Sequence, residues 1–493
     1  MIIGAIVLAA AMTVDFSKEV RPLRPELHSS GFGPRICSFP DQELEDIKSM
    51  GFKASRTHDW ALLNSNERVC DNHHIFPLTH LDPKDPKSYH FAPTDYLLGL
   101  TREKMGHEIF FRLGPSIEHS GKEVHFNTLI PDDFDRVAEN FAATVRHYNR
   151  GWANGFEWGI RYWEIWNEPD GANMQWCLPG GDLGEDGKRD EAKDAERQRQ
   201  FVRFFVTALK RLKSEFGDTI KVGGPALTSL YQSREGYLRD ILRASREAGV
   251  APDFVSWHFY VDDYAVMADS IRRARKICDG EGFPKCQLII DEWHYFSFSD
   301  YDWPDLRSPD PVRRAKAWTG PRSHNGIDSS CFNLASLSQF QTSDLDLAFY
   351  YGCRPTGSWG YKDGNHEKFK VFYGLKMFGD FVRMGGTLCR GDVIDPDGPP
   401  LLTALASRTA DGKTFQLLVA DYRTGSEAIK IDIVGLPKGV SVKGEVHDGA
   451  NDLGTADFGF DGNRLVIKKS GSGSAAYRFV FSVCGVHGVY PHG

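Results

Sequence analysis

The sequence predicts an α/β fold, a (β/α)8 TIM barrel with an accessory all-β sandwich domain. Three observations carry this expectation. A short, apolar, β-rich run followed by a longer amphipathic stretch recurs eight times between residues 30 and 390, the pattern of a parallel sheet built from βα units. The chain of 493 residues is too long for one small module and suits a large barrel joined to a smaller domain. Between residues 391 and 485 the texture changes to short alternating segments separated by Gly, Pro and Asp turns, which reads as strands throughout.

The elements follow in order. Residues 1–11 (MIIGAIVLAAA) form an apolar leader whose Ala9-Ala10-Ala11 resembles a signal-peptidase site, although no basic residue precedes it. A run this short does not span a bilayer, so it points to a secreted or periplasmic protein without a membrane segment. Residues 12–20 alternate, and the stretch 12–29 is expected to lend a strand to the β domain. The eight candidate barrel strands are 30–36, 52–59, 108–113, 162–166, 221–224, 254–258, 288–291 and 347–351. Helical stretches lie between or after them at 41–50, 94–104, 132–149, 192–215, 237–248, 265–278, 329–340 and 369–384. Asp132 and Asp133 after Pro131 make a good helix start, with negative charge at the positive end of the helix dipole. A doubly wound open sheet would want a Gly-rich phosphate loop after its first strand, and Ser30-Gly31-Phe32-Gly33-Pro34 lacks the further glycine. In the tail, TFQLLVADY, AIKIDIVGL, RLVIKK and AAYRFVFSV read as strands.

Composition excludes several function classes. Lys+Arg 59 against Asp+Glu 67 leaves a net charge of −8 without basic runs, so the chain carries no footprint for nucleic acid. Nine cysteines with no CxxC pair imply neither a zinc framework nor a disulfide scaffold; Cys278 and Cys286, in a Gly- and Pro-bearing loop, form the closest pair. His73, His74 and His80 with Asp71 and Asp82 lie in a polar loop without metal-ligand spacing, so no metal is expected, and nothing calls for a cofactor.

If the barrel is right, chemistry sits just after the strands, and two acids appear there. Glu168 ends RYWEIWNEPD after the fourth strand, and Glu292 ends LIIDEW after the seventh. Glycoside hydrolysis needs two carboxyl groups flanking the scissile bond, one to protonate the leaving oxygen and one to attack the anomeric carbon or activate water. Asn167 is placed to bond a substrate hydroxyl, and Pro169 stops the strand and fixes the turn.

YWEIWNEPD with Asp291-Glu292-Trp293 resembles clan A of the glycoside hydrolases, most closely family 39, the family of β-xylosidases and α-L-iduronidases. The resemblance implies a TIM barrel with a β-sandwich built from both chain ends, and hydrolysis of a carbohydrate with retention of configuration. It implies Glu168 as acid/base, Glu292 as nucleophile and Asn167 on the hydroxyl next to the reacting carbon. His58 after the second strand, and His258 and Tyr260 in SWHFY after the sixth, fall where family members line the sugar pocket. In SWGYKDGNHE after the eighth, Trp359, Asp363 and Glu367 keep the spacing of a segment whose Trp and Glu touch the sugar. Two departures bear on substrate. Trp293-His294-Tyr295-Phe296 stands where the xylosidases have Trp-Asn-Thr/Ser-Tyr, and Leu113-Gly114-Pro115 follows the third strand. An iduronidase must hold a sugar carboxylate, for which Arg354, Arg112 and Lys362 are candidates. The expected substrate is a neutral, xylose-like terminal sugar, with a uronic acid, arabinose or galactose unit as alternatives. The stretch 293–328, with Tyr295, Phe296, Tyr301, Trp303 and Trp318, is long for a βα loop and reads as a lid or subsite wall, or as a packed excursion over the barrel rim. A sugar-binding barrel without catalysis is the other function class, and loss of either carboxylate would have favoured it.

Overall fold

The computed structural model describes residues 10–31, 33, 40–60, 68–115, 130–171, 191–231, 234–352, 354–394 and 401–483. Residues 1–9 of the apolar leader, residues 32 and 34–36 of the candidate first strand, and residues 395–400 and 484–485 of the β tail lie outside them, whereas Ala10 and Ala11, read as the end of the leader, belong to the chain's first strand and pair with Ile429 and Lys430.

After a long strand β1 (Ala10–Pro22), the barrel alternates β2 (Ser29–Ser30), α1 (Pro40–Met50), β3 (Ala54–Arg56), α2 (Asn72–Ile75), α3 (Ala92–Glu103), β4 (Glu108–Leu113), α4 (Phe134–Arg150), β5 (Tyr162–Ile165), α5 (Glu191–Phe216), β6 (Lys221–Leu227) and α6 (Glu235–Glu247). It continues with β7 (Phe254–Val261), α7 (Tyr264–Gly280), β8 (Gln287–Tyr295), α8 (Trp303–Leu306), α9 (Pro311–Thr319), α10 (Ile327–Phe340), β9 (Leu347–Tyr350), a small ribbon of β10 (Arg354–Thr356) and β11 (Gly360–Lys362), and α11 (Lys370–Met384). Strands β2 to β9 close into a parallel barrel in sequence order. The first strand is shorter than the sequence implies, and β7 and β8 run on past the expected ends. Helix α4 starts two residues later than expected because Asp133 is its cap, accepting from the Arg136 N–H at 3.0 Å.

The barrel interior follows from a period of two along each strand. Phe110, Tyr162, Phe254, Ile289, Leu347 and Phe349 pack together at one level, with the Phe110 ring 5.4 Å from Phe254 and 4.8 Å from Phe349. Two residues further along four of these strands stand Arg112, Glu164, Ser256 and Asp291, joined by Arg56 two residues after Ala54; all are buried. An apolar plug thus carries a polar layer, and the layer faces the C-terminal mouth. Strand β8 holds one residue more than its neighbours between Ile290 and Trp293. This bulge lets both Asp291 and Glu292 reach inward, where regular alternation would turn one of them away.

The second unit comprises β12 (Thr387–Gly391), β13 (Val393–Ile394), β14 (Leu401–Arg408), β15 (Thr414–Tyr422), β16 (Ala428–Val434), β17 (Val440–His447), β18 (Asp452–Thr455), β19 (Phe458–Phe460), β20 (Arg464–Lys468) and β21 (Ala475–Val483), with β1 inserted between β12 and β16. Its first strand begins before residue 391. Met12, Val14 and Phe16 of β1 point into its core, where the Phe16 ring lies 5.3 Å from Phe415 and 6.0 Å from Phe481. Strands distant in the sheet path meet there, Phe458 with Phe479 and Phe460 with Phe481, so the sheet folds over on itself as a sandwich. Helix α10 is buried along nearly its whole length between barrel and sandwich.

Candidate active site

The polar layer converges on one cation. Arg56 at the end of β3 donates from Nε to Glu164 Oε2 at 2.6 Å, from Nη1 to Glu292 Oε1 at 2.8 Å and from Nη2 to Asn167 Oδ1 at 2.7 Å, and Nη2 lies 3.0 Å from Asp291 Oδ2. Ser256 Oγ donates to the other Glu164 oxygen at 2.6 Å. Burial pushes the Glu164 carboxyl up to about 8 even with Arg56 beside it. For Asp291, burial pushes upward but Arg56 and His258 outweigh it and hold the carboxyl below its ordinary value.

Above this layer stand the two glutamates. Asn167 and Glu168 follow β5 in a turn whose flanks are held in the left-handed region, with φ +77° at Trp166 and +47° at Glu168. Non-glycine residues there store strain that the surroundings must hold. Here the Trp166 N–H bonds the Leu113 carbonyl at 2.7 Å and the Glu168 N–H bonds the Ala226 carbonyl at 2.8 Å. Asp170 fixes the exit by accepting from Thr228 N at 2.9 Å and Oγ1 at 2.8 Å. Pinning the turn to two neighbouring strands aims Glu168 into the mouth, where its carboxylate keeps some exposure.

Glu292 is held on both oxygens, by Arg56 on Oε1 and by the Tyr260 hydroxyl on Oε2 at 2.8 Å. His58 Nε2 lies 3.2 Å from Oε1. Burial pushes the Glu292 carboxyl up to about 7, opposed by His258 and Arg56 and reinforced by Glu168 and Asp291. His258 bridges the pair, with Nδ1 2.7 Å from Glu168 Oε1 and 3.4 Å from Glu292 Oε2, and Nε2 3.3 Å from Asp291 Oδ2. Burial alone would lower its pKa, but the carboxylates of Glu292, Asp291 and Glu168 raise it well above the ordinary histidine range. His58 is shifted the opposite way, well below that range, because burial dominates. One ligand atom each from Glu168, His258 and Glu292 lies within 4.8 Å of the others, so the two carboxylates approach to that distance or less. Among the described residues this is the only group close enough to hold a metal ion, and His73, His74 and His80 form no such group.

The sequence-predicted residues Glu168, Glu292, Asn167, His58, His258 and Tyr260 therefore meet at one point. Asn167 Nδ2 is buried without a protein partner, a donor left for something in the cleft. Trp359 joins them as part of the wall, half-buried, its ring 5.6 Å from Tyr260, 5.0 Å from Tyr351 and 4.4 Å from His324. Glu367 is a correction. It is exposed in the turn after β11, where Asp363 takes its N–H at 3.0 Å, and its charge acts on Tyr373 of α11. The turn closes on itself through Asp363, and no described hydrogen bond or ion pair joins Glu367 to the carboxylate pair.

Arg56, Glu164 and Asp291 were missed by sequence reasoning. The signal was present: each stands two residues after an inward apolar residue, in ASR, YWE and IID. The segment after β8 is both wall and packed excursion, since Phe296, Tyr301, Leu306 and Ala317 form a small core of their own against which Tyr260 and Trp359 pack. Cys278 and Cys286 are free thiols, and hydrogen bonding between them shifts both pKa values, Cys278 down and Cys286 up. No described helix is long and apolar enough to cross a membrane.

No family model matches the sequence, and no curated protein matches it. Solved structures do. A glucosidase from Croceicoccus marinus aligns over 97% of this chain and 99% of its own, at 20% identity and a TM-score of 0.70. A family 39 β-xylosidase from Caulobacter crescentus covers 96% and 100% at 14% identity and 0.63. A family 51 α-L-arabinofuranosidase from Bifidobacterium longum covers 96% and 99% at 12% identity and 0.62. End-to-end coverage of both partners means that barrel and β unit are shared together: the chain has the fold of these glycosidases, a TIM barrel with a β-sandwich.

Proposed function

We propose that this protein is a retaining glycoside hydrolase that removes a terminal sugar from an oligo- or polysaccharide. The observation that carries the reading is that an oxygen of Glu168 and an oxygen of Glu292 lie within 4.8 Å of each other at the mouth of the barrel, with His258 bridging them. Inverting enzymes hold their carboxyls about 6.5–9.5 Å apart to admit a water, whereas retaining enzymes hold them about 5–5.5 Å apart. The donors divide the roles. Glu292 receives Arg56 and Tyr260, both of which favour its ionised form, so it attacks the anomeric carbon. Glu168 protonates the departing oxygen, then takes a proton from the water that hydrolyses the glycosyl ester and releases Glu292. Asn167 Nδ2 donates to a sugar hydroxyl, and Trp359 offers a ring face to the sugar.

A neutral, xylose-like sugar fits better than a uronic acid. Of the cations weighed for a sugar carboxylate, Arg112 is paired with Asp71 and Lys362 lies 3.5 Å from Glu43; the Arg354 side chain lies outside the described residues.

The test is product stereochemistry by NMR on a panel of 4-nitrophenyl glycosides, with two variants. Retention is expected. Glu292→Gln should abolish turnover, and Glu168→Ala should retain activity only on good leaving groups, with azide restoring turnover and giving a retained glycosyl azide. Inverted product, or azide rescue of a Glu292 variant with retention, refutes the assignment.

A further inference from the structure

The outer wall of the mouth differs in chemistry from its floor. Phe298 is 59% exposed and Trp303 42% exposed, the one Phe and the one Trp among the large hydrophobic side chains the described surface leaves open. They continue inward as a chain of rings. Phe298 lies 6.1 Å from Trp303, Trp303 lies 5.7 Å from Trp359 at an interplanar angle of 28°, and the Trp303 ring is 5.5 Å from Tyr260, whose hydroxyl holds Glu292. Trp303 is presented rigidly. Asp302 caps α8 through the Asp305 N–H, and Asp305 returns the bond to the Asp302 N–H, so the ring stands at the first helical position with its backbone fixed.

Several polar side chains at the base of this wall are committed within it. Ser297 Oγ reaches Asp262, Ser299 and Asp300; Asp300 pairs with Arg322; Asp305 pairs with Arg313. A sugar in a second subsite wants hydrogen-bonding groups around its ring faces, and those of Ser297 and Asp300 are spent internally. Among the exposed side chains of this wall, with Ser299, Asp302 and Arg307 beside them, Phe298 and Trp303 are the flat, apolar ones that continue into the ring chain toward Tyr260. The floor is the reverse, with ionised and hydrogen-bonding groups converging on the two glutamates.

We propose that Trp303 and Phe298 form the leaving-group subsite, and that it selects glycosides whose aglycone is a planar aromatic alcohol over those whose leaving group is another sugar. The inference rests on the glycosidase reading, because the half of the substrate nearer to solvent is the half that departs. Aromatic faces held this way are worth about tenfold in kcat/KM when the ring is stacked in the transition state.

The experiment compares kcat/KM for the 2-naphthylmethyl glycoside, the methyl glycoside and the disaccharide of whichever sugar the enzyme hydrolyses. The first two release alcohols of similar acidity, so they ask the same of Glu168. Wild type should prefer naphthylmethyl over methyl by about tenfold or more. In Trp303→Ala that ratio should collapse toward one, in Phe298→Ala it should fall partway, and in Trp303→Phe, which keeps a ring, most of it should survive. A wild-type ratio near one, or a ratio unmoved by Trp303→Ala, overturns the proposal. Equal losses on the disaccharide and the naphthylmethyl glycoside also overturn it, by making the wall a sugar-stacking surface. If no glycoside is hydrolysed at all, the proposed function fails instead.

Discussion

Replacing Arg56 by Met tests whether one guanidinium sets the ionisation of the nucleophile. In the folded protein it faces Glu164, Asp291 and Glu292 with its side chain buried. A unit charge about 4 Å away at an effective dielectric of about 20 contributes about 4 kcal/mol. At 1.36 kcal/mol per pKa unit this is roughly three units on the neighbouring carboxylates. Glu292 stands at about 7 with the arginine present. Because the acids are coupled and share the change, the acid limb of kcat/KM against pH should move up by roughly two units. At pH 7 the ionised fraction would then fall from about half to about one in a hundred, with kcat/KM falling in proportion. Stability follows the same sign. A carboxyl whose folded pKa is raised keeps its proton while the unfolded chain loses it, so stability declines as pH rises from the unfolded value to the folded one. Asp291, held below its ordinary value by Arg56 and His258, is ionised already at pH 4.5, so the variant should trail wild type there and fall further behind through neutrality, by about 3–5 kcal/mol when the acids are charged without their partner. The assay is kcat/KM on a 4-nitrophenyl glycoside from pH 5 to 9, with near-UV circular dichroism to establish folding. Arg56→Lys keeps the charge without the fork and should shift the limb by roughly one unit. An acid limb within half a unit of wild type in a folded Arg56→Met protein would refute the reasoning.

Gly379→Ala should destabilise by about 1–3 kcal/mol, because a Cβ there collides with the Met50 carbonyl where α11 crosses the end of α1. The same change at Gly99 in α3, where a Cβ meets nothing within 4 Å, should stabilise by about 0.5–1 kcal/mol; thermal melts of the two variants should move in opposite directions. Arg423→Met removes a 2.7 Å bond to Asp328 and a 2.8 Å bond to the Tyr295 hydroxyl and should cost about 2–3 kcal/mol. It should also raise KM for glycosides with large leaving groups, and KM values that stay the same would disconnect Arg423 from the wall.

The barrel was legible because its strands are separated by amphipathic helices whose period differs from theirs; β4 was read to the residue from EIFFRL alone. Strand ends past the mouth were not legible, since β7 and β8 continue through SWHFYV and DEWHY, where polar site residues interrupt the apolar run that marks a strand. Among the site residues, Glu168 and Glu292 stood out because each closes a hydrophobic strand beside a tryptophan. Arg56 did not, because a charged residue inside a short run reads as a surface position until the closed barrel gives it an inside. Glu367 was suggested only by resemblance to a family segment, and it stands exposed in a turn that Asp363 folds locally. The β tail was read from its most regular strands, while β12, β14 and β17 were passed over. Gly391 ends β12 after only five residues, Gly444 interrupts β17, and β14, buried on both sides, lacks alternation.

The sandwich has a structural bearing on the cleft through one residue at its edge. Arg423 follows β15 in a left-handed conformation, φ +59°, and the adjacent Tyr422 hydroxyl donates to the Asp262 carbonyl at 2.9 Å. From there the guanidinium reaches Asp328 at the start of α10, and stands 3.6 Å from Asp262 and 3.7 Å from Asp300. Asp262 lies two residues after Tyr260, and Asp300 three residues before Trp303. The loops that carry the nucleophile's hydroxyl partner and the exposed tryptophan therefore share a counter-ion that neither supplies. Without it Asp300 would keep Arg322, at 3.0 Å, but Asp262 and Asp328 would lose this arginine, and the three acids would repel one another more strongly. A barrel with a long excursion after β8 needs something outside the barrel to fix that excursion, which gives a physical reason for the sandwich to pack on α10 beside the mouth and not against the apolar end.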